Sequence, residues 1–241
     1  MNENLLQLQG VHTHIGAYHI LHGVDLAVPR GQLTMLLGRN GAGKTTTLRT
    51  IMGLWKASRG SISFKGEPIA GLPTPRIAGM NVAYVPETMG IFSDLTVKEN
   101  MLLAARSART AAQIDAQRLQ WIFSLFPAVE KFWNHPAGKL SGGQKQMLAV
   151  ARAIVEPRDL LIVDEPSKGL APAIINNMID AFAQLKGSGV TILLVEQNIN
   201  FAKRLGDTVA VMDNGQVVHA GSMKELAEDE ALQHKLLGLA L

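Results

Sequence analysis

Hydrophobic positions along the chain fall into two alternating rhythms. Residues 31–38 form a short apolar run of strand length, and residues 44–54 follow it with helical spacing, joined by a glycine-rich turn. Upstream, residues 5–14 and 18–28 are rich in alternating and β-branched positions, and residues 60–66 are bounded by turn glycines, which predicts an antiparallel sheet lobe. From 96 to 126 the period changes: Glu99, Met101, Leu102 and Leu103, then Leu119, Ile122, Phe123 and Phe126, recur at three and four, which predicts a helical insert. Strand-like runs return at 159–163 and 190–195 with a helical run at 173–186 between them, the rhythm of a parallel sheet with crossovers. Residues 222–241 read as an amphipathic helix that packs on the core or on another subunit.

Composition narrows the picture without changing it. With 241 residues, 47% of them hydrophobic, the chain suits one large α/β domain, and it carries no tandem repeat or long linker. The absence of cysteine excludes disulfides, thiolate metal sites and thiol nucleophiles. A net charge of +3, from 23 basic and 20 acidic residues intermixed, shows no basic block for gripping nucleic acid. The apolar runs are far shorter than the roughly 20 residues a membrane-crossing helix needs, and the N-terminus opens on acidic and amidic residues, so neither a span nor a secretory signal is expected.

The chemistry begins in the turn after the first buried strand. Gly38, Arg39, Asn40, Gly41, Ala42, Gly43, Lys44 and Thr45 fit the pattern G-x-x-x-x-G-K-[ST], between a strand and a helix as that motif requires. Glycines let the backbone wrap closely around phosphate oxygens, and the amides at the helix N-terminus face the anion. Lys44 can reach the β and γ phosphates, and the Thr45 hydroxyl is placed to ligate Mg²⁺; Thr46 completes the candidate ATP-binding set. Such a cradle alone fits a kinase, a GTPase or a recombinase equally well.

Leu140, Ser141, Gly142, Gly143 and Gln144 separate these options. Ser141 reads as the cap of a helix, and so as a second anion-seeking backbone surface, and five specified residues arise by chance in a chain this long only about a few times in ten thousand. At this pentapeptide the chain resembles the ABC ATPases, whose signature motif it is. The resemblance implies an α/β P-loop NTPase with a RecA-like, mainly parallel core, an antiparallel β lobe and an α-helical signature subdomain. It also implies a dimer in which the signature helix of one subunit points at the γ-phosphate held by the other.

Other segments extend the likeness over essentially the whole chain. The apolar run 160–163 ending in Asp164 and Glu165 is similar to the Walker B element, which implies that Asp164 holds Mg²⁺ and that Glu165 acts as general base on water. Glu87, after Tyr84, Val85 and Pro86, stands where most relatives carry a glutamine that links nucleotide to the membrane subunit, and it joins Thr45 and Asp164 as a candidate metal ligand. Gln197 occupies the place of the switch histidine; its amide can donate to a γ-phosphate but has no charged form. Ala171 replaces a usual aspartate, and the adenine-stacking aromatic falls at Ile15, with Tyr18 as a substitute.

Taken together, Glu87 before residues 91–100, the run 164–172 and residues 195–198 look like the LivF type, one of two ATPase subunits of high-affinity branched-chain amino acid importers. What that resemblance implies is one domain over 1–241: a β lobe at about 1–30 and 56–80, a nucleotide-binding core at 31–55, 81–87 and 157–241, and a helical subdomain at 88–156. It further implies ATP and Mg²⁺ as ligands, a second ATPase subunit of the same or another kind, two transmembrane permeases and a periplasmic or extracellular solute-binding protein. The chain would then sit peripherally on the cytoplasmic face of the cell membrane. Related subunits serve urea, amides or other amino acids, and soluble ABC ATPases act without transport; against the latter stand the lack of a coiled-coil insert, of a second cassette and of a basic stripe.

Two further groups are expected to be structural. His12, His14, His19 and His22 crowd the N-terminal lobe without an acid or cysteine to complete a metal set. Trp121, Phe123, Phe126, Phe132 and Trp133 read as core of the helical insert, one or two of them lining a groove for a membrane-subunit helix.

Overall fold

Two sheets account for the strand pattern. The computed structural model describes residues 3–106, 108, 110 and 113–238. Positions 107, 109, 111 and 112 of the expected helical insert, 239–241 of the expected tail helix and the first two residues lie outside the described residues. The first sheet is antiparallel, in the order β2 (Tyr18–Pro29), β1 (Asn4–Ile15), β4 (Ala57–Phe64), β5 (Glu67–Pro68). Ile15 pairs with Tyr18 across a two-residue turn in which Gly16 takes φ 60°, the left-handed geometry a tight hairpin needs.

The second sheet runs β10 (Gln216–Ser222), β9 (Thr208–Asp213), β3 (Leu33–Leu37), β8 (Thr191–Glu196), β7 (Leu160–Asp164), β6 (Val82–Val85). Every pairing in it is parallel except that of β10 with β9. β3, β7 and β8 are buried at every position, as continuous apolar runs predict for strands covered on both faces. Alternate residues serve two cores. Met35, Val163 and Leu194 pack with the helices of one side, whereas Leu36, Ile162 and Leu193 pack against the antiparallel sheet and α1 (Lys44–Ile51).

α2 (Thr74–Gly79) leads into β6, and the expected helical insert beyond that strand is divided. α3 (Val97–Ala104) starts on a capping box, with Thr96 Oγ1 accepting from the Glu99 amide at 3.2 Å and Glu99 Oε2 accepting from the Thr96 amide at 2.8 Å. It ends where Ala105 turns extended. α4 (Ala116–Leu125) stops before Pro127, because the residue preceding a proline is pushed out of helical geometry; Phe126 sits at φ −133° and ψ 74°. α5 (Pro127–Lys131) and α6 (Gly142–Ala153) complete this region. The tail likewise forms two helices, α9 (Met223–Glu228) and α10 (Glu230–Leu237), following α7 (Pro172–Gly187) and α8 (Ile199–Leu205). Asp229 breaks the tail at φ −105° and ψ 93°, and its carboxylate caps α10 by accepting from the Leu232 amide at 2.8 Å. The helix after the glycine-rich turn is shorter than its pattern: Gly53, at φ 69°, ends it, and a Cβ there would lie 2.4 Å from the Leu72 carbonyl.

Asn100, fully buried in α3, fixes the segment that leads into the helical region. Its Oδ1 accepts from the Phe92 amide at 3.1 Å, and its Nδ2 donates to the carbonyls of Phe92 at 2.9 Å and Thr96 at 3.0 Å. Asn100→Ala leaves the part-buried backbone groups of Phe92 and Thr96 without these partners and is expected to lower stability by about 2 kcal/mol. Urea unfolding of the full chain measures this, and a change below about 0.5 kcal/mol, the usual range of an inconsequential surface substitution, would contradict the bracing role.

Candidate functional site

The turn between β3 and α1 is shaped by three glycines with positive φ: Gly38 at 151°, Gly41 at 82° and Gly43 at 102°. A Cβ on Gly38 would stand 2.4 Å from the Met212 carbonyl, so the backbone there can only be glycine's. Gly43 caps α1 without a side-chain bond, leaving the first amides of the helix free for an anion. Ala42 is buried and its carbonyl accepts from the Gly215 amide at 3.0 Å, which ties the turn to the β9–β10 connection. Arg39 and Asn40 are exposed on its outer side, and the Thr46 carbonyl accepts from Thr50 Oγ1 at 2.8 Å within α1.

Lys44, 5% exposed, folds back over the turn: Nζ donates to the carbonyls of Gly38 at 2.8 Å and Arg39 at 3.0 Å and lies 3.7 Å from Glu165 Oε1. Burial pushes its ammonium below the ordinary lysine value, opposed by the charges of Glu165 and Asp164. The turn thus holds a positive group whose present acceptors are carbonyls that a phosphate could replace.

At the end of β7, Asp164 is fully buried and accepts from Thr45 Oγ1 at 3.2 Å, with the Tyr84 hydroxyl 3.5 Å from its other oxygen. Burial raises its carboxyl above the usual range; the Thr45 bond opposes this, and the neighbouring charges of Glu165 and Glu87 add to it. Burial together with Asp164 pushes the Tyr84 hydroxyl up to about 12. A desolvated carboxylate with hydroxyl companions is short of positive charge, and an all-oxygen donor set of this kind suits a hard divalent cation such as Mg²⁺. Among the described residues no three His, Cys, Asp or Glu side chains are grouped so as to hold a metal by themselves.

Glu165 follows at φ 49°, a left-handed backbone uncommon for a side-chain-bearing residue, and its amide donates to the Val195 carbonyl at 3.0 Å. Its Oε1 accepts from Gln197 Nε2 at 2.5 Å, and the same amide donates to Asn40 Oδ1 at 2.8 Å. Gln197 therefore joins the glycine turn to the carboxylate after β7. Its own loop is held from beneath by Glu196, 2% exposed, whose oxygens accept from the amides of Ser167 at 2.9 Å, Gln197 at 3.1 Å and Asn198 at 3.2 Å.

Glu87 is placed differently from Thr45 and Asp164. It pairs with Lys168, whose Nζ is 2.5 Å from Glu87 Oε1 and 3.4 Å from Glu165 Oε2. Those two carboxylates raise the Lys168 ammonium above its ordinary value, the Glu87 hydrogen bond most. Lys168, Asn40 as a partner of Gln197, and Glu196 carry no periodicity that sequence could flag; their roles come from loops that meet only in the folded chain.

The helix cap at Ser141 is built as its sequence predicts. Ser141 caps α6 by accepting from the Gln144 amide at 3.3 Å, while Gln144 Oε1 accepts from the Ser141 amide at 2.9 Å. Leu140 is buried; Gly142 has open space where a Cβ would point, whereas one on Gly143 would lie 2.6 Å from Ile174. Among the described residues no hydrogen bond or ion pair joins Leu140–Gln144 to the turn at Gly38.

Around these elements, Ile15 is half-buried and Tyr18 is 75% exposed, so Tyr18 is not spent on core packing. The four histidine rings cluster around His19 on the β1–β2 hairpin, with His12 and His14 stacked on it, His22 tilted against it, and His12 Nδ1 3.1 Å from His19 Nε2. A cavity of about 770 Å³ opens between α1, β6 and α6, lined by Trp55, Tyr84, Pro86 and Arg152 among others. None of the five aromatics of the insert lines it: Phe126 is core, and Phe123 packs edge-on against Trp133.

The family model described as ABC transporter matches residues 21–168. The high-affinity branched-chain amino acid transport ATP-binding protein BraG of Pseudomonas aeruginosa is 39% identical, covering 97% of this chain and all of its own. The probable branched-chain amino acid transport ATP-binding protein LivF of Archaeoglobus fulgidus is 35% identical over 92% of this chain and 93% of its own. A solved structure of an ATP-binding subunit of an ABC transporter superposes with a TM-score of 0.80 at 29% identity, covering 97% of this chain and 96% of the other. Among the described residues no helix is long and apolar enough to cross a membrane.

Proposed function

Because this chain belongs to the ABC transporter family of ATP-binding proteins, we propose that it binds and hydrolyses ATP to energise uptake of branched-chain amino acids through partner permeases. The observation that carries the reading is the convergence of Lys44, Thr45, Asp164, Glu165 and Gln197 at the C-terminal ends of β3, β7 and β8. In α/β sheets of this kind, ligands bind at that edge.

Each of these groups then takes a distinct part in the reaction. Backbone amides from Gly38 to Thr46 and the N-terminus of α1 cradle the phosphates, with Arg39, Asn40, Gly41, Ala42 and Gly43 supplying the wrap. Lys44 exchanges its carbonyl acceptors for β and γ phosphate oxygens. Thr45 and Asp164 would hold Mg²⁺, which would polarise the phosphate oxygens and offset their charge, whereas Glu87, on the loop after β6, is engaged by Lys168. Glu165 accepts a proton from the attacking water as the oxygen–phosphorus bond forms and the bond to the β-phosphate breaks, releasing ADP and inorganic phosphate. Gln197 fixes the orientation of that carboxylate through Oε1 and presents its amide toward the γ-phosphate. Leu140, Ser141, Gly142, Gly143 and Gln144 act on the nucleotide of a second subunit, so ATP holds two cassettes together.

In this reading residues 1–30 and 56–80 form the β lobe, 31–55, 81–87 and 157–241 the nucleotide core, and 88–156 the helical part of one domain. The chain works peripherally at the cytoplasmic face of the membrane with a second ATPase subunit, two permeases and a solute-binding protein. Tyr18 covers the adenine, and the cavity beside Trp55 receives a permease segment. Co-purification from membranes followed by reconstitution into vesicles tests this. ATP-dependent uptake of labelled leucine, competed by isoleucine and valine, is expected. Uptake of urea or an amide without leucine competition would move the substrate assignment, and recovery of the chain with no membrane protein would overturn the transport role.

A further inference from the structure

Three carboxylates, Glu87, Asp164 and Glu165, crowd the place where a triphosphate would sit, and the charge of Glu87 is felt at Asp164. One side chain bridges two of them. Lys168 reaches Glu87 on the loop after β6 and Glu165 on the loop after β7, and among the described residues Glu87 has no other ion pair. The ammonium is delivered by a pinned turn rather than a free loop. The Ser167 amide is held by the buried Glu196 at 2.9 Å, the Lys168 amide donates to the Glu165 carbonyl at 3.2 Å, and Gly169 closes the turn at φ 70°. Glu165 is thereby gripped at both oxygens, Oε1 by Gln197 and Oε2 by Lys168.

We propose that Lys168 is a positioning residue for turnover: its ammonium ties Glu87, on the loop leading into the helical region, to Glu165 Oε2. It thereby couples the placement of that loop to the orientation of the carboxylate. The inference rests on Glu165 as general base, proposed above. Lys168 acts through both carboxylates and touches neither nucleotide nor water in this role. Its side chain is 55% exposed, so substitution leaves the core intact.

Steady-state ATPase assays and equilibrium ATP binding on the full chain assembled with its partner subunits test the proposal. Lys168→Met is expected to lower kcat about tenfold, a typical coupling within one charge network, with an unchanged melting temperature; Lys168→Arg restores most of the loss. Glu87→Gln in the Lys168→Met background is expected to leave kcat within about threefold of that of Lys168→Met alone, because the bridge that Glu87 served is already broken. Multiplicative losses in the double variant, or an unchanged kcat in Lys168→Met, would overturn the coupling. Glu165→Gln run in parallel separates the two claims. If it abolishes turnover while Lys168→Met does not lower it, only the positioning role fails; if Glu165→Gln turns over normally, the base assignment itself fails.

Discussion

Glu165→Gln is expected to reduce ATP turnover by about 10²–10⁴-fold, the usual contribution of a positioned general base, while leaving ATP binding intact. The substitution keeps the shape of a side chain that is only 8% exposed and retains an oxygen able to accept from Gln197 Nε2. The new amide nitrogen then faces the Lys168 ammonium, a donor against a donor, so Lys168 loses that contact and keeps its pairing with Glu87. What is lost is the negative charge and the capacity to take a proton. Lys44 keeps its carbonyl partners or a phosphate, so the cradle remains competent to bind. With hydrolysis blocked, the nucleotide stays between subunits, and light scattering should show a dimer with ATP that reverts with ADP. Parental ATPase activity in the assembled transporter would remove Glu165 from the role assigned to it.

Lys44→Ala is expected to weaken ATP binding by about 100-fold or more, since a buried, charge-assisted contact to phosphate contributes about 1.5–3 kcal/mol per hydrogen bond and the ammonium can make more than one. Its position magnifies the loss. The side chain is 5% exposed, and no other lysine lies within reach of both the turn carbonyls and Glu165 among the described residues. The fold should survive: the three glycines and the tie from Ala42 to Gly215 hold the turn without it, and Arg39, whose carbonyl is freed, is exposed to water. Isothermal titration with ATP in the presence of Mg²⁺, beside a circular dichroism melt, separates these effects. Parental affinity in a folded Lys44→Ala protein would contradict the phosphate-cradle assignment. A large drop in melting temperature would instead make the lysine a structural residue.

Several elements were legible from residues alone because their signals are local. A glycine that must take positive φ, a serine with glutamine three positions on, and an unbroken apolar run ending in acids each constrain the backbone within a few residues. Gly38, Ser141 with Gln144, and the strand ending at Asp164 are therefore found where their patterns place them. The helical region and the tail were harder to read. Helical spacing continues through Ala105 and Asp229, but the chain turns extended at both, and periodicity cannot register a single residue leaving the helix.

Residue order alone specifies the chemistry on offer: two glycine-bearing helix starts, a lysine and threonine at the first, and two acids at a strand end, since each depends on neighbours within one turn or strand. How those groups are wired depends on the folded chain. The bond from Gln197 to both Asn40 and Glu165, and the bridge from Lys168 to Glu87 and Glu165, join residues from separate loops. Their meeting depends on strand order, with β3 beside β8, β8 beside β7 and β7 beside β6. Strand order follows from how whole faces of the sheet are buried, a property of the entire chain rather than of any segment of it.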